Sequence, residues 1–140
     1  MKIVFAADGS ACTKKALAFL VNHENLAGAE DEVIVLNVQV PLPPTVALMV
    51  RSEAASELHR DEAKKVIDPI KVFLDRHPIR YRCEWVVGFP AAEIVEATRR
   101  EKAHLIVMGT HGHGLMGRVL MGSVAQQVVA DCDVPVLLVK

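Results

Sequence analysis

Five short apolar runs recur along the chain, separated by longer stretches in which apolar residues are three or four positions apart. The runs cover residues 2–8, 32–40, 80–88, 104–109 and 134–140. Val and Ile dominate most of them, and β-branched residues pack well on a pleated surface. The runs therefore predict five β-strands.

The stretches between the runs predict four helices, over residues 11–26, 50–76, 90–103 and 123–131. Pro69 lies inside the second of them and should kink or split it. Three prolines should keep residues 41–49 out of both helix and sheet, which makes this segment a candidate lid or rim loop. Strands that alternate with helices indicate an α/β fold with a mostly parallel sheet.

The composition agrees with this fold and argues against some classes of function. The 140 residues are expected to form one domain, residues 1–140, and 51% of them are hydrophobic while only 4% are aromatic. A formal net charge of -1 offers no basic surface for nucleic acid or an anionic membrane. No apolar run approaches the roughly 18 residues of a spanning helix. Three cysteines without metal-type spacing fit a reducing compartment, so we expect a cytoplasmic protein.

The stretch GTHGHGLMGRVLMGS, residues 109–123, holds five glycines after the fourth predicted strand. Gly112, Gly114 and Gly117 spell a dinucleotide-binding fingerprint, but the next helix begins about a dozen residues after the strand instead of directly after it. Gly117 and Gly122 spell a phosphate loop, but Ser123 stands where that loop has its lysine. Neither pattern fits its structural context.

A third interpretation uses the glycines at the strand exit and at the helix start. Gly109 and Gly112 would let the backbone turn and approach a ligand. Gly122, Ser123 and Val124 would present free N–H groups to a phosphate at the helix N-terminus. The Ser123 hydroxyl either bonds the phosphate or caps the helix.

Asp8 follows the first predicted strand and would face the same crevice if the first and fourth strands are neighbours. Asp8 either caps the first helix or contacts the ligand, and Ser10 is the better candidate for the N-cap.

Four motifs together give the chain a family resemblance. They are Gly109-x2-Gly112-x9-Gly122-Ser123, Asp8-Gly9-Ser10, residues 88–98 and the ending DCDVPVLLVK of residues 131–140. In this order they resemble the universal stress protein family over the whole chain. The resemblance implies a Rossmann-like three-layer sandwich, similar to adenine-nucleotide α-hydrolases, with a five-stranded parallel sheet in the order 3-2-1-4-5. It also implies a homodimer that pairs through the last strand.

The resemblance further implies membership of the family's ATP-binding branch, with Mg²⁺ accompanying the nucleotide. The implied contacts are Ala7, Asp8, Met108 and Gly109 along the nucleoside, the Val38 backbone at the adenine, and Gly112, Gly122, Ser123 and Val124 at the phosphates. His111, His113 and Arg118 are possible further phosphate partners. No catalytic residue and no protein metal ligand is assigned.

The leading hypothesis is an ATP-binding sensor or regulator of the stress response that acts through occupancy. One alternative is a slow ATPase or phosphotransferase on the same site, with Asp8, His111 or His113 as the available groups. The other is a dimeric interaction module that needs no ligand.

Overall fold

The computed structural model describes residues 1–113 and 121–140. The strands are β1 (Lys2–Ala6), β2 (Glu32–Gln39), β3 (Arg80–Val87), β4 (Leu105–Gly109) and β5 (Val136–Val139). The helices are α1 (Ala11–Val21), α2 (Pro44–Ala47), α3 (Ser52–Leu74), α4 (Pro90–Glu101) and α5 (Ser123–Asp131). All five predicted strands are present, each within two residues of its predicted limits.

The strands form one parallel sheet in the order β3-β2-β1-β4-β5. β1 occupies the centre, where Ala6 is in register with Leu36 of β2 on one side and with Met108 of β4 on the other. The predicted parallel sheet and its strand order are both confirmed.

Both faces of the sheet are buried, as a parallel sheet requires. Phe5 and Val33 belong to a cluster with the apolar faces of α1 and α3. Val4 and Ile106 belong to a second cluster, on the opposite face, with α4 and α5. Successive residues of β1 thus serve different halves of the core, because strand side chains alternate between faces.

α1 begins where the sequence predicts and ends five residues early. Ser10 is the N-cap, and its hydroxyl accepts a hydrogen bond from the Thr13 N–H at 3.3 Å. The helix stops at Val21 with Asn22 as its C-cap. Asn has a low helix propensity, and the turn bonds after it run to carbonyls three residues back.

One prediction around the second helical stretch is wrong, and of the two alternatives given for Pro69, a kink or a split, the split is excluded. Residues 41–49 are not wholly irregular, because Pro44–Ala47 form the short helix α2, with a proline at its first position, where the missing N–H costs nothing. Pro69 does not split α3, whose 23 residues run through it. None of the described helices is both long and apolar enough to cross a membrane.

Candidate functional site

A cavity of about 540 Å³ opens at the carboxyl ends of β1, β2 and β4. β1 connects to β2 on one side and pairs with β4 on the other, so this is the point at which the strand order reverses. Ligands of open α/β sheets bind at such points. The volume lies within the range of small-molecule sites, about 300–1,000 Å³.

Nine of the ten predicted site residues line this one cavity. They are Ala7, Asp8, Val38, Met108, Gly109, Gly112, Gly122, Ser123 and Val124. The tenth, Arg118, lies outside the described residues. The fold therefore brings together groups that are far apart in the sequence, while their role as ATP contacts stays a prediction.

The two carboxylate oxygens of Asp8 have different surroundings, because one is hydrogen-bonded by the protein and the other faces the glycine stretch. Oδ1 accepts from the Ser10 N–H at 2.8 Å and from the Thr13 hydroxyl at 2.7 Å. Oδ2 faces Gly112, where an added Cβ would lie only 2.6 Å from it. Ser10 is thus the formal cap, and Asp8 keeps one oxygen directed at the glycine stretch.

Close packing requires glycine at positions 109 and 112, which the sequence did not indicate. A Cβ at Gly109 would lie 2.5 Å from the Cβ of Cys12, so the missing side chain lets α1 approach β4. At Gly112 the space is taken by Asp8. The sequence interpretation attributed both glycines to the approach of a ligand, and the structure shows that protein atoms already require them.

The start of α5 differs from the prediction in two details. Gly122 is the N-cap, and its N–H donates to the Thr110 carbonyl at 2.6 Å, so this N–H is not free. Ser123 is the first helical residue and makes no capping bond. The N–H groups of Ser123 and Val124 have no acceptor within the helix, and they carry the positive end of its dipole toward the cavity.

The two histidines of the glycine stretch line the cavity and are tied to its walls. His113 Nε2 lies 2.7 Å from the Asp8 carbonyl oxygen. His111 Nδ1 lies 2.7 Å from the Thr110 hydroxyl. Among residues 1–113 and 121–140, no three His, Cys, Asp or Glu side chains are placed to hold a metal ion.

The backbone of Val38 presents a donor and an acceptor beyond the end of β1. The Glu32 N–H donates to Met1 O, and Leu36 O accepts from the Ala7 N–H, so even-numbered residues of β2 point toward β1. Val38 follows this alternation, but β1 ends at Ala6, and Ala7 O accepts instead from the Asn37 side chain at 2.8 Å. Within the described chain, no residue on that side pairs with the N–H and C=O of Val38.

Thr13 and Thr110 are polar wall residues that the sequence interpretation missed. Thr13 holds Asp8, and Thr110 holds both Gly122 and His111. The spacing of Asp8, Ser10 and Thr13 is a readable helix-start signal that would have indicated the first. The role of Thr110 depends on a contact between β4 and α5 that no local sequence pattern predicts.

The charge of the described walls is low. Asp8 is the only Asp, Glu, Lys or Arg among the described lining residues. Leu36, Ile94, Met108 and Met121 make much of the remaining wall apolar. Such a cavity suits a flat apolar group on one side and hydrogen-bonding groups near Asp8 and α5.

Comparison with known proteins assigns the chain to a family. The family model described as the universal stress protein family matches residues 1–140. The universal stress protein MJ0531 of Methanocaldococcus jannaschii is 36% identical over 141 residues, which cover 99% of this chain and 81% of that protein. The solved structure of MJ0577, from the same organism, has a TM-score of 0.82 at 30% identity and covers 99% of this chain and 94% of its own.

Three further solved structures share the fold and carry a nucleotide. A family member from Arabidopsis thaliana has AMP bound, with a TM-score of 0.71, 15% identity and coverage of 100% of this chain and 91% of that one. A universal stress protein in complex with cAMP has a TM-score of 0.70, 23% identity and coverage of 100% and 97%. The Archaeoglobus fulgidus protein in complex with dAMP has a TM-score of 0.68, 24% identity and coverage of 100% and 98%. On the whole-chain match and the 36% identical relative, this chain belongs to the universal stress protein family.

Proposed function

We propose that the chain binds ATP in the cavity at the carboxyl edge of its sheet and acts as a regulator of the stress response through the occupancy of that site. The observation that carries the proposal is the convergence of nine predicted contact residues on one cavity of about 540 Å³. The AMP, cAMP and dAMP complexes of proteins with the same fold support an adenine nucleotide.

The adenine would lie against Val38. An N–H donor beside a C=O acceptor matches the N1 acceptor and the N6 donor of adenine, whereas guanine offers the opposite pair at those positions. Leaving both backbone groups unpaired away from water would be costly, which supports a ligand that satisfies them. The apolar side chains of Leu36, Ile94 and Met108 would contact the ring.

The phosphates would lie at the start of α5, where the N–H groups of Ser123 and Val124 and the helix dipole favour an anion. The Asp8 Oδ2 atom accepts from no described residue, and a carboxylate oxygen is a ligand that Mg²⁺ prefers. We therefore propose that the nucleotide is bound with Mg²⁺, which would neutralise phosphate charge that the described walls do not.

Isothermal titration with ATP, ADP, AMP and GTP tests this proposal. Ser123→Asp should weaken ATP binding at least tenfold, because a carboxylate would stand within a few ångströms of the phosphates. The same change leaves the helix intact or stabilises it by up to about 0.5 kcal/mol, because an acidic residue suits a helix N-terminus. We expect GTP to bind more weakly than ATP.

Ser52→Asp is the matched control, because Ser52 is likewise the first residue of its helix and does not line the cavity. It should leave ATP binding unchanged. Absence of ATP binding by the wild-type protein at millimolar concentration would refute the proposal. Equal binding by wild type and Ser123→Asp would refute the phosphate position alone.

We also propose that two copies pair through β5. The Ile106 N–H donates to Pro135 O and the Thr110 N–H to Val139 O, so Val136 and Leu138 turn their N–H and C=O groups away from β4. An apolar edge with free backbone groups invites a further strand. The family resemblance supports a second copy as that strand.

Sedimentation equilibrium of two variants at Val136 tests the pairing. Val136→Pro removes an outward N–H without removing a bond to β4, so it should give a monomer. Val136→Ala shortens the same side chain and keeps the N–H, so it should remain a dimer. A dimer in both variants would mean that the copies do not pair through β5.

A further inference from the structure

An apolar segment with little cover stands beside the cavity, between β2 and α3. No charged residue occurs from Val40 to Val50. Leu48 is 90% exposed and Met49 is 86% exposed, more than any other large hydrophobic residue in the described chain. None of the residues of α2 is buried. Contiguous exposed apolar surface of this kind marks a place where something binds or closes.

We call residues 43–49 the apolar strap. Partly covered residues flank it, because Leu42 and Val50 are half-buried while every residue between them is exposed. The helix starts at Pro43 and Arg51 have no side-chain cap. An uncapped start makes local opening easier, so the strap belongs to the less stable part of the fold.

The chain that leads into the strap lies at the rim of the cavity. Val38 lines the cavity, and Val40 follows two residues later, where the Gly88 N–H donates to Gln39 O and brings the start of α4 alongside. Pro90 of α4 also lines the cavity. Val40 and Phe89, 57% and 72% exposed, make this rim apolar.

The far end of the strap stands well beyond the sheet. An added Cβ at Gly9 would lie 3.3 Å from Val66 Cγ2, so Val66 is level with the loop after β1. Ser52 precedes Val66 by 14 residues, or about 20 Å of helix. The strap thus connects the chain next to the cavity rim with a helix start that stands above the carboxyl edge of the sheet.

We infer that the apolar strap closes over a bound nucleotide and covers the outer face of its base, with Leu48 and Met49 as the contacting side chains. This inference rests on the proposed function. Closure would remove Leu48 and Met49 from water and seal the side of the cavity next to Val38. Pro43 and Pro44 restrict the open strap, and Pro41 restricts the chain that leads into it, which lowers the entropy lost on closing.

Hydrogen exchange and titration together test the strap. Saturating ATP should slow amide exchange across residues 45–49 of the wild-type protein. The double variant Leu48→Ser/Met49→Ser should bind ATP about tenfold more weakly, through a faster dissociation rate, because the covering contacts are lost. Val72→Ser/Val129→Ser is the matched control, since both valines are exposed and lie on α3 and α5 outside the strap.

The possible outcomes distinguish failure of the strap inference from failure of the proposed nucleotide binding. Unchanged ATP affinity in the strap variant with no slowing of exchange would overturn the strap and leave the proposed function standing. No ATP binding by the wild type would overturn both. A strap variant with normal ATP affinity but a changed mass in sedimentation would assign the segment to contact with a second copy and overturn closure.

Discussion

At the scale of single residues, Asp8 is the link between the loop after β1 and the glycine stretch. Its Oδ1 atom is held by Ser10 and Thr13, so the carboxylate cannot turn away without losing two hydrogen bonds. Its Oδ2 atom consequently occupies the space where any side chain at Gly112 would begin. The two positions are therefore constrained by each other, whether or not a ligand is bound.

Gly112→Ala should destabilise the protein by about 1–2 kcal/mol, because the new Cβ would force Asp8 from its position. The cost should disappear when the carboxylate is absent. Urea unfolding of Gly112→Ala, Asp8→Ala and the double variant measures this coupling as a double-mutant cycle. Additive changes in the free energy of unfolding would show that the two residues do not constrain each other.

At the scale of elements, α3 shows how burial overrides a local signal. Ala63, Ile67, Ile70 and Leu74 face the core, while Pro69 lies on the exposed side of the helix. An interior proline costs about 3 kcal/mol, mainly through a lost hydrogen bond and a steric clash. The apolar face on both sides of Pro69 keeps the helix continuous despite that cost.

Replacing Pro69 by Ala should therefore stabilise the protein by about 2 kcal/mol. The substitution restores an N–H donor to the Lys65 carbonyl and removes no buried side chain. Part of the gain is offset because alanine leaves the unfolded chain more freedom. Thermal and urea unfolding measure the change, and a loss of stability would mean that the packing of α3 depends on the proline.

At the scale of the whole molecule, an ion-pair network joins β2, β3 and α4. Arg82 contacts Glu32 at 3.0 Å, Glu84 at 3.4 Å and Glu101. Arg100 adds bonds to Glu84 and Glu101. The hydrogen bond from Arg82 lowers the pKa of Glu101 below its usual 4.5, against the opposing effect of burial.

A lowered pKa in the folded state means that Glu101 stabilises the protein above about pH 4.5 and that this contribution is lost as the pH falls through the folded value. Glu101→Gln should cost up to about 1 kcal/mol at pH 7, since the partners are partly exposed. The difference from wild type should shrink in urea unfolding toward pH 3. A difference independent of pH would mean that the charge of Glu101 contributes nothing.

Local patterns in the sequence predicted the strands, most of the helices and part of the cavity lining, namely Asp8, the glycines and the start of α5. The family resemblance supplied Ala7, Val38 and Met108. Local patterns could not order the strands, because the pairing of Ala6 with both Leu36 and Met108 depends on side chains far apart in the chain; the order came from the family resemblance. The Gly122 N–H was predicted free for the same reason, since its acceptor, Thr110 O, comes from another element. The sequence did not predict α2, because proline is usually a helix-breaking residue. Pro44 is nevertheless the first residue of α2, a position where proline is tolerated.

The contact between His113 and Asp8 spans 105 residues, and it has a consequence for synthesis of the chain. β1, α1 and β2 are synthesised before the opposite wall of the cavity, which lies on β4 and α5 and begins at Leu105. A nascent chain therefore has half of the cavity, without the start of α5 that would face the phosphates, and cannot enclose a ligand. Ligand stabilisation acts only on a state that can bind, so any ligand of this cavity favours finished chains over growing ones.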